Sequence, residues 1–158
     1  MLAGGFFTTH TVGTILGKKM AVRGLLAQPE AETAQEIILR AAICAAENGR
    51  HELLRVLAQQ KDSFNFNRST DGRTPLIGAV LSNNIKCVEV LLELKADPNL
   101  CDDSGVSPLM HAVIDNNRNM ASLLVEHGAD PSLQDNTGRD AASCSRSDLM
   151  DAILAGAE

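Results

Sequence analysis

Apolar residues in this chain fall into short stripes at helical spacing, separated by clusters of Asp, Asn, Ser, Thr and Gly. Val88, Leu91 and Leu92 stand at i, i+3 and i+4, the pattern of a helix with one buried face. Leu53 and Leu57 before it, and Leu123 and Leu124 after it, form further stripes. The polar clusters are turn formers. They read Ser69-Thr70-Asp71, Asp102-Asp103-Ser104 and Asp135-Asn136-Thr137, and each runs into a glycine: Gly72, Gly105 and Gly138. The stripes are expected to be buried, the Asp-bearing clusters exposed, and the helix-to-helix core continuous through residues 40–155.

The three glycines are spaced by 33 residues, and most other landmarks keep that period. Thr74-Pro75-Leu76 returns as Ser107-Pro108-Leu109, Ala79 as Ala112, and Ala96-Asp97-Pro98-Asn99 as Ala129-Asp130-Pro131-Ser132. Each landmark has a physical role. Thr74 and Ser107 can cap a helix whose first turn suits the following proline. Ala79 and Ala112 are small enough for a second helix to pack closely. Asn83 and Asn116 fall where the first helix must stop and reverse, in a left-handed conformation that Asn tolerates. Gly128 ends a second helix. A period of this length is the mark of a stacked repeat array.

These segments resemble the ankyrin repeat family. The family's T-P-L-H-x-A-A segment appears as Thr74-Pro75-Leu76-Ile77-Gly78-Ala79-Val80 and as Ser107-Pro108-Leu109-Met110-His111-Ala112-Val113. Its G-A-D-x-N segment appears as Lys95-Ala96-Asp97-Pro98-Asn99 and Gly128-Ala129-Asp130-Pro131-Ser132. Ile77 and Met110 replace the family histidine, and Lys95 replaces a glycine at a left-handed cap, a strain of about 1 kcal/mol. The resemblance implies an all-α solenoid of paired antiparallel helices with β-hairpin-like finger loops. Units fall at about 29–68, 69–101, 102–134 and 135–158, the outer two being weaker matches. In the first, the opening helix is expected to begin near Glu30, after Pro29. The last restarts at Gly138 and carries Leu149-Met150 and Ile153-Leu154, shortened and more polar, as a terminal cap should be. Residues 1–28 form either a degenerate N-terminal cap or a leader.

Composition narrows the function classes. Aromatics are 3% of 158 residues, with no Trp and no Tyr, which argues against a reader that stacks bases. Net charge is −6, against general binding to nucleic acid or anionic membranes. The charge is uneven: residues 1–29 carry +3 and residues 102–158 carry −7. Four cysteines without a CxxC pair suggest reduced thiols in an intracellular, cytoplasmic setting. No apolar run reaches the roughly 18 residues of a membrane span. The acid-free, Thr-rich start weakly resembles an organellar transit peptide.

Candidate chemistry is thin, and neither catalytic residues nor a metal or cofactor is expected. Ser107, His111 and Asp115 lie along one helix, where His111 and Asp115 could touch. Ser107, however, is needed as a cap, and nothing supplies an oxyanion hole. Cys44, His111 and Cys144 occupy equivalent slots on different units, too far apart for zinc ligands at about 2.0–2.3 Å. The segment 13–19 brushes the phosphate-loop pattern but puts Lys19 where Ser or Thr must hold Mg²⁺.

Function therefore has to come from surface, and the expectation is a non-enzymatic module binding a protein or peptide. In ankyrin-like arrays the finger loops and the exposed side of the first helix line a concave face. By position, the matching residues are Arg73, Leu81 and Ser82 in the second unit. They continue with Cys101, Asp103, Ser104, Val106, Ile114 and Asp115 in the third, then Gln134, Asn136 and Arg139. Glu47 and Asn48 extend the surface. Leu81 and Ile114 matter most, being apolar at slots that usually face solvent. The alternative is an oligomerising or regulatory subunit whose N-terminal segment docks on another chain, with self-association as its signature.

Overall fold

The computed structural model describes residues 34–59, 65–67, 69–70 and 72–145. Residues 1–28, the helix start near Glu30, the segment 13–19 and the stripe from Leu149 to Leu154 lie outside the described residues. Ile38–Glu158 forms one compact unit. Seven helices are described: α1 (Ala34–Glu47), α2 (His51–Gln59), α3 (Pro75–Leu81), α4 (Ile85–Glu93), α5 (Pro108–Ile114), α6 (Arg118–Glu126) and α7 (Ala141–Cys144). The all-α solenoid expected from the repeats is what the chain forms.

The helices are short because their ends are written into side chains. Thr74 Oγ1 accepts the Ile77 amide at 3.2 Å, and Ser107 Oγ accepts that of Met110 at 3.2 Å, so each caps its helix with proline in the first turn. The other ends stop in left-handed residues. Asn83 has φ 54° and Asn116 has φ 52°. The amide of Asn83 bonds Val80 O at 2.9 Å and that of Asn84 bonds Ala79 O at 2.9 Å, so two orphan carbonyls are satisfied together. The second helices end the same way. Lys95 has φ 65° where Gly128 has φ 86°. The amides of Lys95 and Ala96 return to Leu92 O and Leu91 O at 3.0 and 2.9 Å.

In the second and third units the first helix packs on its own second helix, α3 on α4 and α5 on α6. Units then stack, with α3, α5 and α7 forming one row and α2 lying against α4 in the other. Leu54, Leu76, Ile77, Val88, Leu91, Leu109, Met110, Met120 and Leu124 are fully buried between them. Ile77 and Met110, in place of the family histidine, make these slots wholly apolar. Leu123 departs from expectation: it is half-buried while Leu124 takes the central position. The period accounts for this, since Leu124 and not Leu123 lies 33 residues after Leu91.

The loops between units close on themselves. Thr70 and Arg73 exchange both backbone hydrogen bonds at 3.0 Å, and Asp102 and Asp135 donate theirs to Val106 O and Arg139 O at 3.0 and 2.9 Å. Successive loops nest closely. Gly72 (φ 71°) leaves no room for a Cβ because the Asp103 carboxylate lies over it. At Gly105 (φ 76°) a Cβ would stand 2.7 Å from Asn136 Oδ1. Asparagines tie the units from below: Asn67 Oδ1 accepts the Asp97 amide and Asn99 Oδ1 the Asp130 amide, both at 2.7 Å.

The Asp-bearing clusters are not uniformly exposed. Asp135 is buried, at 7% exposure, because its carboxylate folds into its own loop. There it accepts from the Thr137 hydroxyl at 2.6 Å and amide at 2.8 Å and from the Arg139 amide at 3.0 Å.

Two stability outcomes follow from this packing. Leu91→Ala is expected to cost about 2–5 kcal/mol, as buried leucine truncations do, and chemical denaturation reads it directly. A loss under about 1 kcal/mol would mean that the α4 face is wrongly placed. Lys95→Gly is expected to raise the same unfolding free energy by several tenths to about 1 kcal/mol, by relieving the left-handed backbone. Destabilisation would show that the lysine stem packs usefully.

Candidate functional site

The residues singled out from sequence lie at the ends of α3 and α5 and on the loops between units. Leu81 and Ile114 are the last residues of these two helices, which pack on each other. They remain 41% and 45% exposed. Neither helix can turn them inward, because the opposite faces are already filled by Leu76, Ile77, Val80 and by Leu109, Met110, Val113. Ser82 and Asp115 follow as the exposed C-cap residues.

The loop residues are divided between solvent and structure. Arg73 is exposed, and its guanidinium meets Glu47 Oε1 at 3.4 Å, joining this loop to α1 of the unit before. Arg139, 66 residues on, is also exposed. It folds back on its own loop instead, with Nε and Nη2 at 3.0 and 2.8 Å from Asp135 Oδ2. Val106, midway between them, is half-buried, and its amide donates to Asp102 Oδ1 at 2.9 Å. Asp103 and Ser104 are exposed, as are Gln134 and Asn136. Ser104 O accepts the Asn136 amide at 3.0 Å, and Asn136 Nδ2 donates to Asp103 O at 3.0 Å, so these two loops are stitched together. Cys101 is half-buried with its thiol toward Asn99 O at 3.6 Å.

The catalytic constellation weighed from sequence is not assembled. Ser107 uses its hydroxyl as a cap. His111 Nε2 lies 3.0 Å from Asp102 Oδ2, and so pairs with the loop carboxylate and not with Asp115. Asp115 closes α5 through its own amide, which donates to His111 O at 3.0 Å. The thiols are not activated either. Burial pushes Cys44, Cys87, Cys101 and Cys144 up, and the neighbouring carboxylates Glu47 and Asp102 add to this at Cys44 and Cys101. Among the described residues, no group of three His, Cys, Asp or Glu could hold a metal ion.

Two hollows flank the surface. Arg40, Ile43, Cys44, Glu47, Thr70 and Arg73 line a cleft of about 370 Å³ between α1 and the following loop. Sequence reasoning named Glu47 as surface but missed its pairing with Arg73, which a search for opposite charges on α1 and the next loop would have found. The other hollow lies on the edge where helices reverse, lined by Asn83, Asn116, Asn117 and Asn119 with Asp115 and Arg118. Its amides are partly engaged: Asn117 Nδ2 donates to Asn83 Oδ1 at 2.6 Å.

The family model for ankyrin repeats (3 copies) matches residues 16–102, 42–135 and 94–158. Comparison with curated proteins finds no match. Among the described residues, no helix is long and apolar enough to cross a membrane.

The electrostatics of the last loop yield a pH outcome. The Thr137 hydroxyl, first, and the Arg139 amide after it hold the Asp135 carboxyl far below the usual carboxylate range. A carboxyl depressed in the folded state contributes stability above its unfolded pKa of about 3.9, and that contribution fades as pH falls toward the folded value. Asp135→Asn is therefore expected to be less stable than wild type in denaturant melts at pH 7. The gap should narrow progressively below about pH 4. A gap constant with pH would show that the hydrogen bonds, not the charge, matter.

Proposed function

Because the chain belongs to the ankyrin repeat family, we propose that it is a non-enzymatic binding module that takes a protein or peptide on the concave face formed by its first helices and loops. Ankyrin repeats are generally protein–protein interaction modules. The observation that carries the assignment to this face is the exposure of Leu81 and Ile114, 41% and 45%, at the same position of neighbouring helices. A single exposed aliphatic means little. Two aligned ones, each followed by an exposed polar C-cap residue, Ser82 and Asp115, have the composition of an interface core with a polar rim, and Asp103 and Ser104 on the loop before α5 extend the polar surface. Arg73, Cys101, Val106, Gln134, Asn136 and Arg139 complete the proposed contact surface. The four free thiols fit a reducing, cytoplasmic setting, and the net charge of −6 fits a protein partner better than nucleic acid.

Leu81→Asp with Ile114→Asp is the direct test. In a desolvated interface each new carboxylate has no partner, which costs several kcal/mol, whereas on an unused surface it stays hydrated. Affinity capture with the full chain is expected to lose its bound protein in the double variant, while thermal melts show an intact fold. Undiminished capture by the folded variant would reject the concave site and move attention to Lys18, Lys19 and Arg23 or to the acidic C-terminal flank.

A further inference from the structure

The first slot of the loops between units holds a different residue in one of them. Ser69, Asp102 and Asp135 each stand three residues before the loop glycines Gly72, Gly105 and Gly138. In the two Asp loops the carboxylate has the same double task. Asp102 Oδ1 accepts the Ser104 and Val106 amides, both at 2.9 Å, and Asp135 Oδ1 accepts those of Thr137 and Arg139 at 2.8 and 3.0 Å. Each Oδ2 holds a basic side chain: His111 at 3.0 Å on Asp102, and the Arg139 guanidinium at 3.0 and 2.8 Å on Asp135.

The loop that begins at Ser69 keeps the arginine and lacks the anion. Arg73 follows Ser69 by the same interval at which Arg139 follows Asp135. With no carboxylate in the slot, the Arg73 amide turns back to Thr70 O at 3.0 Å, and this loop closes one residue tighter than the other two. The Arg73 guanidinium leaves its own loop and meets Glu47 through one nitrogen at 3.4 Å, a looser contact than the paired bonds of Arg139. Ser69 is exposed. The hydroxyls of Thr74 and Ser107 are buried and already spent as caps.

We propose that Ser69 is a phosphorylation site, and that a phosphate there rebuilds the second loop on the pattern of the Asp135 loop. A protein serine/threonine kinase with ATP supplies the group. Ser69 Oγ attacks the γ-phosphorus, the bond from that phosphorus to the β,γ-bridging oxygen breaks, ADP leaves with the electron pair, and the hydroxyl proton passes to the kinase's base. The phosphoserine carries a charge of about −1.5 to −2 at pH 7 and three acceptor oxygens. These take the Arg73 amide and guanidinium together, as Asp135 takes those of Arg139. Paired charge-assisted bonds outcompete the single long contact, so Arg73 leaves Glu47. Arg40, Glu47, Thr70 and Arg73 line the cleft beside α1. The phosphate thus withdraws a cation from that cleft and uncovers the Glu47 carboxylate. The switch operates whether or not the concave face binds a protein.

The full chain is prepared with a phosphate on Ser69 through genetically encoded phosphoserine, with and without Arg73→Gln. A ³¹P NMR pH titration reads the second ionisation of the phosphate, which is about 6 when unperturbed. A paired guanidinium favours the dianion, so the midpoint is expected to fall below that value and to return to it with Arg73→Gln. The melting midpoint is expected to rise by about 2–4 °C with the phosphate, and not to rise in the Arg73→Gln background. Ser69→Asp should give part of the same gain. An unshifted titration overturns the rebuilt loop. So does a lower melt, the outcome if the Asp103 carboxylate over Gly72 repels the phosphate. In a second arm the wild-type chain is incubated with ATP and a panel of purified serine/threonine kinases, and its phosphates are mapped by mass spectrometry. Phosphate is expected on Ser69 and not on Thr74 or Ser107. Its absence from Ser69 with every kinase overturns the modification site.

Discussion

Helices of seven and nine residues do not persist alone in water, because nucleation is costly and each helix has too few bonds to offset it. The lengths of α3 through α6 therefore make every unit dependent on its neighbours. Leu76, Ile77, Leu91, Leu109, Met110 and Leu124 are buried only because another helix lies across them. Cohesion is local and repeated, as in other quasi-one-dimensional stacks. The polar framework must then hold each unit in register, so that one stripe meets the next. It does this completely among the described residues, where no buried side-chain nitrogen or oxygen lacks a partner.

What could be read from sequence was whatever a residue does to its own backbone. Thr74 and Ser107 as caps, Asn83 and Asn116 as left-handed stops, and Lys95 in a glycine's place each depend on a few adjacent positions. The structure agrees at all five. What could not be read depends on which side chains meet from different turns. Along the chain Asp115 was the carboxylate that could touch His111, whereas the folded loop brings Asp102, nine residues earlier, to it instead. Asp135 looks like an ordinary turn former, and its burial arises from Thr137 and Arg139 closing around it. Leu123 and Leu124 share one stripe, and only strict application of the period separates the fully buried residue from its half-buried neighbour.

The candidate surface divides along the same line. Leu81 and Ile114 were identifiable because a helix with a filled inner face has only solvent left for its remaining side. Asn136, Ser104 and Arg139 look equally available in sequence, yet parts of each are already committed to neighbouring loops. Surface residues on such a framework thus have two kinds of partner, the next unit and the outside world, and spacing alone does not tell them apart.

The nesting of successive loops has a consequence for how such a chain can change. Gly72 is covered by Asp103 and Gly105 by Asn136, the same interval of 31 residues in each case. Asn67 and Asn99 reach forward to Asp97 and Asp130 by nearly the same interval. A single residue inserted within a helix would throw the glycine, the asparagine and the apolar stripe out of step together. A whole unit, added or deleted, would leave every one of these matches in place. Length along this chain is therefore quantised: evolution or design can lengthen or trim the array by one complete repeat far more readily than by one amino acid.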